Sequence, residues 1–149
     1  MTRQALLSIL IVLTLIGFAD SAYLAHSALT ADPLVCDIEG LDKCNTVAAS
    51  PYSKLLGIPL AVYGLGFYAV ILLLSVYLLS RSSRLAVKGL AAASVVGALA
   101  SAYFLFLQVF VIKAICIYCL ASAVVSFILA GLVVAYRKRL LPLPPAVLP

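Results

Sequence analysis

Four cysteines are the residues of this sequence whose type and spacing can carry chemistry. Cys36 and Cys44 lie in a polar stretch, and Cys116 and Cys119 form a C-x-x-C motif. In a helix, residues three apart share one face with Cβ atoms about 5–6 Å apart, so the motif pair can form a disulfide. That bond would close too short a ring to stabilise the fold much. The spacing therefore indicates thiol–disulfide exchange, although two inert buried cysteines are an equally good interpretation of the motif alone.

The surroundings of the motif favour a reactive thiol. It stands near a predicted helix N-terminus, with Lys113 just upstream, and both features stabilise a thiolate. A flexible segment could carry Cys36 and Cys44 over this helix end, so that the two pairs exchange. Two alternatives stay open: a structural loop disulfide beside an inert helix pair, and a metal site built from all four thiolates, for which the loop spacing is long.

The composition predicts a membrane protein. Of 149 residues, 66% are hydrophobic and 10% are charged, against roughly 25% charged residues in soluble domains. Four apolar stretches are long enough to cross about 30 Å of hydrocarbon. We predict an all-α integral membrane four-helix bundle in one domain, residues 1–140, which leaves no room for a soluble catalytic or nucleotide-binding domain. The predicted spans are 5–27, 58–80, 89–112 and 114–136.

Residues 28–57 form a polar segment between the first two spans, predicted to be an external loop with a short surface helix. Asp42 is a suitable N-cap for that helix, and Pro51 would end it. Pro59 is expected in the first turn of the second long helix, where its missing N–H costs nothing. The tail 141–149 holds four prolines and is predicted to be disordered.

The charges predict the orientation of the chain. One set of segments carries seven cations and no acid, namely Arg3, Arg81, Arg84, Lys88, Arg137, Lys138 and Arg139, while the opposite segments carry three cations and four acids. By the positive-inside rule both termini face the cytoplasm of a plasma membrane, and all four cysteines lie on the oxidising outer side. The start of the chain also resembles a secretory signal peptide, but its apolar stretch is long enough to span, so we predict a retained helix.

Together these features resemble the vitamin K epoxide reductase family of membrane thiol oxidoreductases. The resemblance rests on the loop pair, on Ser50 six residues after its second cysteine, on the segment Gly57-Ile58-Pro59-Leu60, and on the motif Cys116-Ile117-Tyr118-Cys119. It implies a four-helix bundle around a quinone site, with electrons arriving from a thioredoxin-like partner. It also implies an order of transfer, in which Cys36 meets the partner, Cys44 relays to Cys116, and Cys119 faces the quinone.

The resemblance places Ser50 near the quinone as a hydrogen-bond donor, and a simple turn residue before Pro51 is the alternative. Vertebrate members that reduce vitamin K epoxide carry an Asn in the second helix and a Tyr four residues after the second motif cysteine. Here the second helix has no Asn and the other position is Ala123. The disulfide-forming branch of the family is therefore the better match. Many members of that branch carry a fused thioredoxin-like domain, and its absence from this sequence predicts a partner acting in trans.

The sequence thus predicts a membrane enzyme that reoxidises a thioredoxin-like protein and passes the electrons to a quinone of the ubiquinone or menaquinone type. The alternatives are a non-enzymatic membrane module with structural or metal-binding cysteines, and a vitamin K quinone or epoxide reductase. Asp20 is the one acid inside a predicted span. Proton delivery to a reduced quinone is one interpretation of it, and a structural hydrogen bond between helices is the favoured one.

Overall fold

The computed structural model describes residues 2–36 and 43–141, and four long helices dominate them. The helices are α1 (Arg3–Thr30), the short α2 (Cys44–Ala48), α3 (Leu60–Ser80), α4 (Arg84–Phe106) and α5 (Ile117–Leu140). A π-helical segment, Leu107–Ile112, continues α4. By length and composition, α1, α3, α4 with its π-helical extension, and α5 can each cross a membrane. The predicted all-α membrane bundle is confirmed.

Two of the helices begin earlier in the sequence than predicted, because capping residues start them there. The side chain of Thr2 accepts the N–H of Ala5, so α1 begins at Arg3. In the same way Ser83 accepts the N–H of Ala86 at 3.3 Å and starts α4 at Arg84. The prediction stopped short because it excluded charged residues, whereas arginines are good helix formers and extend to the membrane surface.

The connection between α1 and α3 differs in two details from the prediction. Lys43 occupies the cap position of α2, and Asp42 lies outside the described residues, as does the tail from residue 142 onward. Pro59 lies in a strand rather than in the first turn of α3. Strands β1 (Lys54–Leu55) and β2 (Ile58–Pro59) pair antiparallel. The two residues between them, Leu56 and Gly57, have φ of 53° and 82°, as a tight type I′ hairpin turn requires.

Aromatic rings packed against glycines bring the long helices close together. The ring of Tyr68 on α3 lies directly over Gly17 of α1, and the ring of Phe67 lies over Gly97 of α4, so a side chain at either glycine would overlap a ring. Small residues at a helix interface allow such a close approach. Around these rings the four long helices share one apolar core of leucine, isoleucine and valine side chains.

The bundle has two chemically different ends. We call the end where α1 finishes and α3 and α5 begin the cysteine end, because all four cysteines belong to it. At the opposite, basic end, the guanidinium of Arg3 donates to the carbonyls of Leu78 and Arg81 and so caps the last turn of α3. The last turn of α5 carries Arg137, Lys138 and Arg139. A helix C-terminus favours such cations.

Candidate redox site

The four cysteines form one disulfide and one pair of free thiols. Cys36 and Cys44 are bonded to each other, with Cα atoms 6.4 Å apart, and Cys116 and Cys119 are free. Because the loop sulfurs are bonded to each other, they are not thiolate ligands in this state. The part of the chain that the structure describes holds no group of three His, Cys, Asp or Glu side chains arranged for a metal ion.

The two cysteine pairs meet in a small apolar cluster at the cysteine end. Cys44 and Cys116 are each 1% exposed and belong to this cluster together with Leu34, Val47 and Ala114. Cys36 and Cys119 are only partly buried and pack against its margin. The loop cysteine that is buried therefore belongs to the same cluster as the buried cysteine of the motif.

Two tyrosines hold the residue that precedes Cys36. The hydroxyl of Tyr118, inside the C-x-x-C motif, donates to the carbonyl of Val35 at 2.7 Å. The N–H of Val35 donates to the hydroxyl of Tyr23 on α1 at 3.2 Å. The two rings also contact each other, with centroids 5.1 Å apart. The segment that carries Cys36 is thus tied to both α1 and α5.

The side chain of Asn45 fixes the same segment to α2. Its Oδ1 accepts the N–H of Leu34 at 2.9 Å, and its Nδ2 donates to the carbonyl of Leu34 at 3.1 Å. The side-chain amide therefore takes both backbone hydrogen bonds of one residue, as a neighbouring strand would. Because Asn45 follows Cys44 directly, this contact positions the two loop cysteines relative to each other.

Gln108 organises the turn that leads into the C-x-x-C motif. It is 3% exposed and lies in the π-helical segment, where one extra residue per turn alters which way side chains point. Its Oε1 accepts the N–H of Cys116 at 3.0 Å, and its backbone carbonyl accepts the N–H groups of Lys113 and Ala114. Lys113 has a φ of 54°, which lets the chain reverse within a few residues. One glutamine thus holds the turn from both its side chain and its backbone.

Cys116 is the N-cap of α5, just before the helix that spans the bundle. Its Sγ accepts the N–H of Cys119 at 3.5 Å. A hydrogen bond from the Cys119 side chain lowers the pKa of Cys116 to about 7, against the opposing effects of burial and of the negative charge of Asp20. At neutral pH a large fraction of Cys116 is therefore thiolate, which is the nucleophilic form.

A polar cluster lies one turn deeper in the bundle than the thiols. The hydroxyl of Tyr68 contacts the carbonyl of Ser122 at 2.8 Å and the hydroxyls of Ser122 and Ser126 at 3.0 and 3.1 Å. Asp20 lies within electrostatic range of Tyr68 and of both thiols. Its Oδ2 is buried and has no hydrogen-bond partner among the described residues. The interhelical hydrogen bond favoured from the sequence is therefore not found at this atom.

Ser50 closes the short helix α2. Its hydroxyl donates to the carbonyl of Val47 at 2.7 Å, and its own carbonyl accepts from the backbone and hydroxyl of Ser53. These bonds are those of a turn residue, the alternative that the sequence left open, and a contact between Ser50 and a quinone stays a prediction. Ala123 is 3% exposed on α5, so the Tyr found there in vertebrate family members would need a different local packing.

Sequence reasoning missed Gln108, Asn45 and the two tyrosines that hold Val35. Gln108 carried a usable signal, because an amide within an apolar span is costly unless its hydrogen bonds are made inside the protein. Asn45 and Tyr118 carried none, since a polar loop residue and an aromatic residue near a membrane surface are both ordinary. Their importance comes from contacts between distant segments.

This protein is therefore a membrane-type four-helix bundle whose two cysteine pairs meet in one cluster. Residues 8–134 match the vitamin K epoxide reductase family, and the chain belongs to that family. It is also 38% identical over 118 residues to the thiol-disulfide oxidoreductase LTO1 of Arabidopsis thaliana, an alignment that covers 72% of this chain and 30% of that protein. The chain thus spans less than a third of the length of this relative.

Proposed function

We propose that this chain is a membrane thiol–disulfide oxidoreductase that oxidises the dithiol of a thioredoxin-like protein and transfers the electrons to a quinone. Disulfide formation in proteins outside the cytoplasm is the process that such an activity supports. The family and the name of the Arabidopsis relative support thiol–disulfide chemistry. The observation that carries the proposal is the shared burial of Cys44 and Cys116 in one cluster, with a disulfide on one side and free thiols on the other.

In the proposed cycle each step moves two electrons. A thiolate of the partner attacks the Cys36–Cys44 disulfide at Cys36, which is the more exposed of the two, and the partner leaves with its own disulfide. The loop thiols then reduce a Cys116–Cys119 disulfide through a bond between Cys44 and Cys116. In this cycle, a loop pair that is oxidised beside a motif pair that is reduced is the arrangement that this transfer leaves. The two electrons are then held by the thiols of Cys116 and Cys119, from which they pass to the acceptor.

We propose that a quinone headgroup binds in the region beside Cys119. A quinone supplies a two-electron, two-proton acceptor with an apolar ring and two carbonyl oxygens. The apolar helices exclude water from this region. The buried Oδ2 of Asp20 is a polar atom to which no described residue donates a hydrogen bond. We assign Cys119 as the residue that faces the quinone, and Ser50 as a second contact once its hydroxyl leaves Val47. This site requires no epoxide chemistry, which the residue at position 123 also disfavours.

Purified protein in lipid vesicles containing ubiquinone or menaquinone tests the proposal. With a reduced thioredoxin-like protein as substrate, quinone reduction should depend on all four cysteines. Cys119→Ser should abolish the reaction even with dithiothreitol, whereas Cys36→Ser should impair the protein substrate far more than the small dithiol. A wild-type chain that oxidises neither substrate in the presence of quinone would refute the proposal and favour a non-enzymatic membrane module.

A further inference from the structure

Asp20 is a carboxyl group placed where membrane proteins rarely keep one. It lies ten residues before the end of α1 at Thr30, which is about 15 Å along the helix. An ionised carboxylate within the hydrocarbon region is costly, so an acid at this depth usually has an ion-pair partner or a function. No salt bridge to Asp20 occurs within residues 2–36 and 43–141.

The polar groups around Asp20 are already engaged with each other. The Tyr68 hydroxyl is within hydrogen-bond distance of Ser122 and Ser126, while Oδ2 of Asp20 is buried without a described partner. A carboxyl whose role was to join two helices would use that atom. The unpaired Oδ2 indicates instead that Asp20 interacts with a group that is present only during part of the reaction.

The side of α1 that carries Asp20 is turned into the bundle. Gly17, one turn earlier on α1, contacts the Tyr68 ring, and Ser21 lies against Gly64 of α3, so this side of α1 is turned into the bundle. The same Tyr68 that contacts Gly17 donates to the carbonyl of Ser122, one turn deeper on α5 than Cys119. Because Asp20 is one turn nearer the cysteine end than Gly17, it lies at about the level of Cys119. A proton held at Asp20 is therefore close to the atoms whose protons must leave when the motif pair is oxidised.

We propose that Asp20 exchanges protons with the Cys119 thiol and the reduced quinone during oxidation of the motif pair. This inference rests on the proposed function. Oxidation forms one S–S bond and breaks two S–H bonds, and two electrons pass to the quinone. Asp20 accepts the proton of Cys119 and returns it to the reduced quinone, so that it ends as a carboxylate. Cys116 reacts as the thiolate, its proton having already been released to water, and water supplies the second proton of the quinol.

The test compares four proteins in vesicles with menaquinone and dithiothreitol: wild type, Asp20→Asn, Asp20→Glu and the matched control Asp32→Asn, the same change outside the bundle. Asp20→Asn should slow quinone reduction by about 100-fold, the low end of what a positioned acid–base group contributes. Asp20→Glu should keep most of the activity, and Asp32→Asn all of it. Sodium formate should partly restore Asp20→Asn, because a small acid can replace the missing carboxyl.

Two further readouts separate proton exchange from structural support. Dithiothreitol should reduce the Cys36–Cys44 disulfide equally fast in wild type and Asp20→Asn, because that step needs no proton at Asp20. Loss of the negative charge should also lower the pKa of Cys116, since Asp20 raises it. Slow quinone reduction in a protein with more thiolate then cannot be attributed to a smaller fraction of the reactive thiolate. The isosteric Asn breaks no described bond at Oδ2, so the fold should persist.

Wild-type activity in Asp20→Asn would overturn the assignment and leave the proposed function intact. Slow turnover in both Asp20 variants without rescue by formate would show a structural requirement and would equally overturn it. If Asp20→Asn fails to accumulate, dicyclohexylcarbodiimide tests the wild-type chain, because it modifies carboxyls in apolar surroundings. Modification of Asp20 should stop quinone reduction, and full activity of the modified protein would refute the proposal. A wild-type chain that never reduces quinone fails at the earlier step, the proposed function itself.

Discussion

The hydroxyl of Tyr118 donates to the carbonyl of Val35 at 2.7 Å, across 83 positions of the sequence. Tyr118 is the third residue of the C-x-x-C motif, and Val35 is the neighbour of Cys36. The contact therefore runs from inside one cysteine pair to the edge of the other. The segment that leads to Cys36 could take many positions, and this bond selects one in which Val35 lies against the motif.

Replacing Tyr118 by Phe should loosen this arrangement without removing the ring. One neutral hydrogen bond contributes about 1 kcal/mol, so disulfide transfer between the pairs should slow by about fivefold. The rate is measured by adding quinone to fully reduced protein, quenching with acid and counting the alkylated cysteines by mass spectrometry. Tyr77→Phe is the control, because Tyr77 is 49% exposed on α3. Equal rates in the two variants would show that the bond to Val35 does not position the loop.

Replacing Gln108 by Leu should destabilise the turn before α5. The N–H of Cys116 would stay buried and lose its acceptor, at a cost of about 1–3 kcal/mol. Thermal unfolding in detergent should therefore begin at a lower temperature, and alkylation of Cys116 should change because its position as N-cap is no longer held. Gln4→Leu makes the same change at an exposed position of α1. If Gln108→Leu unfolds like Gln4→Leu, the hydrogen bond does not support the turn.

The reactivity of Cys116 should follow pH with a midpoint near its pKa of about 7. Below that pH the sulfur is protonated and alkylates slowly, and above it the thiolate reacts. The largest cause of the low pKa is the hydrogen bond from the Cys119 side chain, so Cys119→Ala should move the midpoint to higher pH. The measurement is the iodoacetamide rate at Cys116 in a Cys36→Ser, Cys44→Ser background. An unchanged midpoint would show that Cys119 is not the cause.

The order of the relay is open to a direct cross-linking test. With Cys36 and Cys119 both changed to Ser, the remaining thiols belong to one buried cluster and should form the Cys44–Cys116 disulfide. In the opposite double variant, Cys36 and Cys119 lie at the margin of the cluster, and Cys119 is about 4.5 Å deeper along α5 than Cys116. That pair should link poorly. The readout is the yield of linked fragments after cleavage at a protease site placed between α3 and α4. A preference for Cys36–Cys119 would reverse the proposed order.

The orientation of the bundle is a further prediction from the charges at its basic end. Reporters fused after Arg139 and inserted between Arg81 and Arg84 should both read cytoplasmic. Cys36, at the other end, should react with a membrane-impermeant thiol reagent after reduction. A reporter after Arg139 that reads extracytoplasmic would contradict the orientation and, with it, the compartment proposed for the chemistry.

The fold could be predicted because hydropathy and length constrain a membrane helix so strongly. The sequence could not predict the hairpin around Leu56 and Gly57, because Gly-Ile-Pro before an apolar run is also typical of a helix start. Pairing between β1 and β2 decides between the two. The helix ends were also missed, since capping by Thr2 and Ser83 adds turns that contain charged residues.

The candidate site, too, could be predicted only in part. The four cysteines were visible as residue types, and their partition into a loop pair and a motif pair followed from spacing. The groups that hold them depend on contacts between α1, the loop and α5, and no local pattern encodes such contacts. For Ser50 the sequence could not choose between a turn and a quinone contact, because a serine hydroxyl suits both.

The rings of Phe67 and Tyr68 have a mechanical consequence. They are neighbours on α3, with centroids 5.0 Å apart, and each fills the hollow over a glycine on a different helix, Gly17 on α1 and Gly97 on α4. To turn about its own axis or slide along it, α3 would have to withdraw both rings at once. These two contacts therefore fix the rotation and the axial position of α3. Any movement that accompanies turnover has to occur outside the bundle.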